Sequence, residues 1–115
     1  MLQISPTTKI FIAVHPIDFR AGIDSLFGQC QNLLRQDPYA GHVFIFRSKR
    51  ANAIKILTYD GQGFWLCLKR LSKGKFTWWP TSDRQGAIFS LPANRLSVLL
   101  YNGNPEQVKL APNWR

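Results

Sequence analysis

Between Arg47 and Lys75 the chain places eight of its 15 basic side chains among strand-forming residues, with one acid, Asp60, in the same stretch. The bases are Arg47, Lys49, Arg50, Lys55, Lys69, Arg70, Lys73 and Lys75, and around them stand Phe46, Tyr59, Phe64, Trp65, Phe76, Trp78 and Trp79. Ammonium and guanidinium groups neutralise phosphates, and flat rings stack on bases, so nucleic acid is the first partner to consider. For a single lysine the plainer reading is a solvated surface position. For a single aromatic on a strand it is a place in the core, and only exposure would make Trp65, Trp78 or Trp79 a stacking platform.

Other chemistries find less support. A metal-dependent nuclease needs carboxylates converging on a cation. The acids are Asp18, Asp24, Asp37, Asp60, Asp83 and Glu106. Asp18 reads as a helix cap, Asp37 precedes a proline, and Asp60 sits in a glycine turn, so each has a local task. Ser25, Ser48 and Ser72 lack a glycine-flanked elbow, and neither His15 nor His42 belongs to a general-base motif. Cys30, Cys67, His15 and His42 show no paired zinc-ligand spacing. Asp60-Gly61-Gln62-Gly63 lacks the lysine and following helix of a phosphate-cradling loop. The expectation is a protein that is not an enzyme, with no catalytic residues, metal, cofactor or small-molecule ligand.

The elements that must position the basic residues can be read from periodicity. Lys9 to Val14 is apolar and strand-forming, ended by His15-Pro16. A helix is predicted from Asp18, whose carboxylate would cap it, to Asp37-Pro38. Phe19, Ile23, Leu26, Phe27, Cys30, Leu33 and Leu34 form its apolar stripe. His42 to Phe46 is a continuous apolar run, suiting a strand covered on both faces. Ala53 to Tyr59 is a second strand, followed by the turn at 60–63, a third strand from Phe64 to Leu71, the turn at 72–74, and a fourth from Lys75 to Trp79 before Pro80. Ala87 to Ser90 reads as a short edge strand, and Pro92 starts a helix over Ala93 to Tyr101. Residues 106–115 read as a loosely ordered tail.

The predicted class is therefore α+β: an antiparallel β-meander sheet packed by an N-terminal amphipathic helix, with a short C-terminal helix. In a meander, alternate turns share an end of the sheet. The connections at 48–52 and 72–74 should meet, with 60–63 opposite, so seven of the eight bases should gather at one end and Lys55 should lie further along its strand.

Composition sets the outer bounds. A chain of 115 residues, 45% hydrophobic and 18% charged, suits one globular domain over 1–115. Formal net charge is +9, and a neutralising partner would relieve the self-repulsion this implies. No run reaches the length of a membrane span and no secretion signal is visible, so a cytoplasmic protein with reduced thiols is expected.

Several stretches together resemble a bacterial family. Asp18-Phe19-Arg20-Ala21-Gly22-Ile23-Asp24-Ser25-Leu26 is similar to its helix-start motif. Asp37-Pro38-Tyr39-Ala40-Gly41 with Val43-Phe44-Ile45-Phe46-Arg47 is similar to its next stretch. Lys55-Ile56-Leu57-Thr58-Tyr59-Asp60-Gly61-Gln62-Gly63-Phe64-Trp65-Leu66, Lys69-Arg70-Leu71 and Gly74-Lys75-Phe76 follow in the family's order. The family is the small accessory protein TnpB of insertion sequences of the sixty-six type, distinct from the longer RNA-guided nuclease of the same name. The resemblance runs from Ile10 to Pro80. Thr58 stands where the family has an aromatic residue, and Thr77-Trp78-Trp79 is bulkier than its proline-bearing end.

The resemblance implies a non-catalytic mobile-element protein that assists a separate transposase. DNA of the element and the transposase are the implied partners. A protein-interaction module that docks on the transposase without touching nucleic acid is the alternative, and a small nuclease is third. Duplex, single strand and RNA are left open, as are sequence preference and self-association.

Overall fold

The computed structural model describes residues 5–81 and 86–106. Strands β1 (Ile10–Ala13), β2 (Val43–Arg47), β3 (Ala53–Tyr59), β4 (Phe64–Arg70) and β5 (Ile88–Leu91) form one sheet in the order β4-β3-β2-β1-β5. Helix α1 (Ile23–Asn32) lies between β1 and β2 in sequence, and the short helix α2 (Leu96–Leu100) follows β5.

The fold is α+β, but the sheet is mixed and not a simple meander. β2, β3 and β4 pair antiparallel, as expected of hairpins. β1 lies parallel to β2, with Ile10 opposite Val43, and antiparallel to β5, with Ile10 also opposite Leu91. The long connection through α1 lets the chain return in the same direction, which a tight turn cannot do. The predicted fourth strand of the meander is absent: Lys75 to Trp79 adopts no strand pairing. Its anchor is instead Phe76, whose amide donates to the Ala51 carbonyl (2.7 Å) and whose ring is buried in the core.

Both sheet faces are covered, which accounts for the unbroken apolar run in β2. On one face Ile10, Ile12, Val43, Ile45, Ile54 and Ile56 pack with Phe76, Leu91, Leu96 and Leu99. On the other, Ala13, Phe44, Phe46 and Leu57 pack with Ile17, Leu26, Cys30 and Leu34. Each such fully buried aliphatic or aromatic side chain contributes on the order of 1.5–3 kcal/mol. Cys30 and Cys67 are free thiols associated with opposite faces, and burial pushes the Cys30 thiol up to about 12.

The N-terminal helix is shorter than the apolar spacing predicts. The Ile17 amide donates to the Arg47 carbonyl, and Ile17 bridges Ser48, so the chain is still extended at the predicted helix start. Asp18 organises a turn at its own position, and Gly22 is the N-cap with no side-chain capping bond. At the other end α1 stops at Asn32, before Asp37-Pro38. Leu33 is exposed, while Leu34 is buried just past the helix. Asp37 accepts from the Tyr39 amide and caps a single 3-10 turn at Pro38–Ala40. A second 3-10 turn, Ala93–Arg95, leads into α2. Of the predicted tail, residues 107–115 lie outside the described residues.

Candidate nucleic-acid interface

Two connections are pinned together at one end of the sheet. In the first, Ser48 is buried and its hydroxyl donates to Asn52 Oδ1 (3.1 Å), while the Ala51 amide donates to the Ser48 carbonyl (3.0 Å). The second crosses beside it, because the Leu71 amide donates to the Asn52 carbonyl (2.8 Å) and the Phe76 amide to the Ala51 carbonyl (2.7 Å). Gly74, at φ 75°, makes the turn between those two bonds in a conformation that other residues rarely adopt. The Asp60–Gly63 turn lies at the opposite end, beyond the pairing of Tyr59 with Phe64. There Asp60 accepts from the amides of Gln62 and Gly63 and from Trp65 Nε1, which together hold its carboxyl below the usual carboxylate range.

The eight basic residues divide into two groups. Lys49, Arg50, Arg70, Lys73 and Lys75 are exposed, and none lies within ion-pair distance of a carboxylate among the described residues. The other three are engaged inside the fold. Lys55 Nζ donates to the carbonyls of Phe19 (2.8 Å) and Ala21 (2.7 Å) and stands 4.6 Å from the centroid of the Phe19 ring. Lys69 Nζ donates to the Leu100 carbonyl and stands 5.0 Å from the Tyr101 ring centroid. The Arg47 guanidinium lies 5.8 Å from the Trp79 ring centroid.

Two residues near this end were not among those the sequence singled out. Arg20, on the turn after β1, lines a groove of about 490 Å³ together with Lys49, Arg50 and Arg70. Its guanidinium forks onto Asp18 (2.7 and 3.1 Å), whose carboxyl is held well below its ordinary range by that side chain and by the Arg20 amide. Arg20 therefore adds little net charge. The Asp-x-Arg spacing was its available signal. Tyr101 is the second; it is 82% exposed and sits beside Lys69. Its signal was the Asn102-Gly103 pair that follows, a common helix-ending combination.

Rings elsewhere are committed. Trp79 Nε1 donates to the Ala13 carbonyl (3.0 Å) and Trp78 Nε1 to Glu106 (3.0 Å), and both indoles pack against the core. Trp65 is 43% exposed but belongs to the Asp60 end. It lines a concavity of about 650 Å³ with Tyr39 and Tyr59.

Fold and composition define a small α+β protein of formal net charge +9, with five exposed bases near one sheet end that pair with no carboxylate among the described residues. The chain belongs to the family described as IS66 Orf2 like protein, which it matches over residues 8–109, and is thus an insertion-sequence accessory protein. The match extends past Pro80, through β5 and α2. Among relatives, the chain is 35% identical over 112 residues to the uncharacterized protein y4jC of Sinorhizobium fredii (strain NBRC 101917 / NGR234), covering 97% of this chain and 93% of that protein. It is 38% identical over 100 residues to the uncharacterized protein y4hO of the same strain, covering 87% and 84%. No solved structure matches the chain. Among the described residues no helix is long and apolar enough to cross a membrane.

Proposed function

We propose that this protein assists transposition by binding the DNA of its element, alone or in complex with the transposase, through the pinned connections at the Lys49–Lys75 end of the sheet. The observation that carries the reading is the presence of five exposed cations on and beside two connections joined by backbone hydrogen bonds, none paired to a carboxylate among the described residues. Positive charges carried on joined connections suit a phosphate backbone, so affinity would come from phosphate contacts and sequence selectivity would be modest. Fluorescence anisotropy with duplex DNA tests it. Changing Lys49, Arg50, Lys73 and Lys75 to glutamate should abolish binding while thermal unfolding stays cooperative, since no hydrogen bond among the described residues depends on those four side chains. Undiminished binding by the variant would reject the reading.

The edge strand β4 favours a second reading, in which the protein docks on the transposase without nucleic acid. Leu68 is 56% exposed and Trp65 is exposed beside an edge that no further strand covers in the sheet order. Pull-down of the transposase after nuclease treatment separates the two, because a nucleic-acid bridge would vanish.

A further inference from the structure

The geometry points to Tyr101 as a stacking platform for an unpaired base, so that the basic end takes DNA carrying a single-stranded extension in preference to blunt duplex. This inference rests on the DNA-binding reading above and names the form of nucleic acid that the site would favour.

The backbone that carries the ring is fixed from two sides, and one cation lies over the ring itself. α2 ends in a Schellman closure: the Asn102 amide donates to the Leu99 carbonyl (3.0 Å) and the Gly103 amide to the Val98 carbonyl (2.7 Å), with Asn102 at φ 65°. Gly103 is required there, because an added Cβ would lie 2.8 Å from Val98 Cγ1 and 3.2 Å from the Val98 carbonyl oxygen. The Asn102 side chain then ties this closure to the basic connection. Its Oδ1 accepts from the Thr77 amide (2.7 Å) and its Nδ2 donates to the Lys75 carbonyl (3.2 Å). Lys69, anchored on the Leu100 carbonyl, places its ammonium 5.0 Å from the Tyr101 centroid.

A large aromatic ring gains free energy by leaving water, yet this one is 82% exposed beside a turn closed by two backbone hydrogen bonds. The exposed lysines at 73 and 75 belong to the connection that Asn102 clamps. Cationic side chains beside an open aromatic ring are the arrangement by which single strands are held, charge tracking the backbone while a base stacks. Trp65, Trp78 and Trp79 do not offer this, Trp65 being at the other end and the other two packed against the core with their indole N–H groups bonded.

The test compares blunt duplex with the same duplex bearing a short single-stranded extension, by anisotropy at one fixed salt concentration. The extension should strengthen wild-type binding by roughly 5- to 150-fold, the factor that one base–aromatic stack corresponds to. Tyr101→Ala should remove that gain and leave blunt-duplex affinity unchanged, whereas Tyr101→Phe should keep it. A 2-aminopurine placed in the extension should be quenched by wild type and by Tyr101→Phe, but not by Tyr101→Ala. No gain from the extension, or a gain that survives Tyr101→Ala, overturns the inference. The DNA-binding reading then still stands if blunt-duplex binding falls steeply with salt. Absence of binding to both DNAs defeats both. Loss of transposase capture by Tyr101→Ala in DNA-free pull-down, with DNA affinities untouched, would assign the ring to a protein contact and also overturn the inference.

Discussion

Salt offers the sharpest handle on the basic end, because the number of phosphates contacted sets how fast affinity falls as ions compete. The logarithm of the binding constant for duplex DNA declines by about 0.9 per neutralised phosphate for each tenfold rise in salt. The five exposed bases Lys49, Arg50, Arg70, Lys73 and Lys75 therefore predict a slope of about −4.5, or a roughly 500-fold loss between about 50 and 200 mM. All eight residues would give about −7.2 and a loss above about ten-thousandfold, but Arg47, Lys55 and Lys69 are engaged within the fold. Replacing Lys73 and Lys75 by serine should reduce the slope to about −2.7, a roughly 40-fold loss over the same range. Anisotropy titrations at four or five salt concentrations measure both slopes. A flat response, or a slope unchanged by the double substitution, would refute the assignment of phosphate contacts to these connections.

Further outcomes follow from the engaged side chains. Lys55→Met should leave the salt slope alone but lower stability by about 1–3 kcal/mol, read from the urea midpoint, because two partly buried carbonyls lose their donor. Asp60, whose folded-state carboxyl is depressed, adds stability above the ordinary aspartate range that is lost as pH falls through the lowered value. Thermal scans from neutral to acid pH should therefore show the advantage of wild type over Asp60→Asn shrinking on the acid side. The Cys30 thiol, buried and raised to about 12, should resist a thiol-specific reagent until the protein is unfolded in urea.

Much of the basic end was legible because hairpin logic is local. The glycines of 60–63 and Gly74, together with the strand-forming runs between them, place the connections at 48–52 and 72–74 on the same side without knowledge of the rest; in the structure the second runs on to Phe76, because no fourth strand starts at Lys75. Which lysines are free was not legible. Lys55 and Lys73 look alike in sequence, yet Lys55 faces the carbonyls of Phe19 and Ala21, brought there by a turn far away in the chain. The Lys75–Trp79 stretch failed for a related reason. β-branched and aromatic residues serve equally in a strand and in an extended segment laid over a sheet, and only the partner decides. The helix start was misplaced because Asp18 carries a genuine capping chemistry, but the pairing of Ile17 with Ser48 holds the backbone extended and redirects that carboxylate to Arg20. Parallel pairing of β1 was invisible, since strand direction is settled by the crossover and not by the strand's own residues.

The interior position of β1 bears on how the polypeptide reaches its native state during translation. Ile10 to Ala13 is synthesised well before one of its two flanking strands, β5, which lies more than 70 residues further along the sequence. Until Leu91 emerges, a hydrophobic strand stands with an uncapped backbone edge, the template on which nascent chains co-aggregate. A truncation ending anywhere before β5 would carry that hazard permanently, so C-terminally shortened forms of this protein should collect in inclusion bodies and not in the soluble fraction.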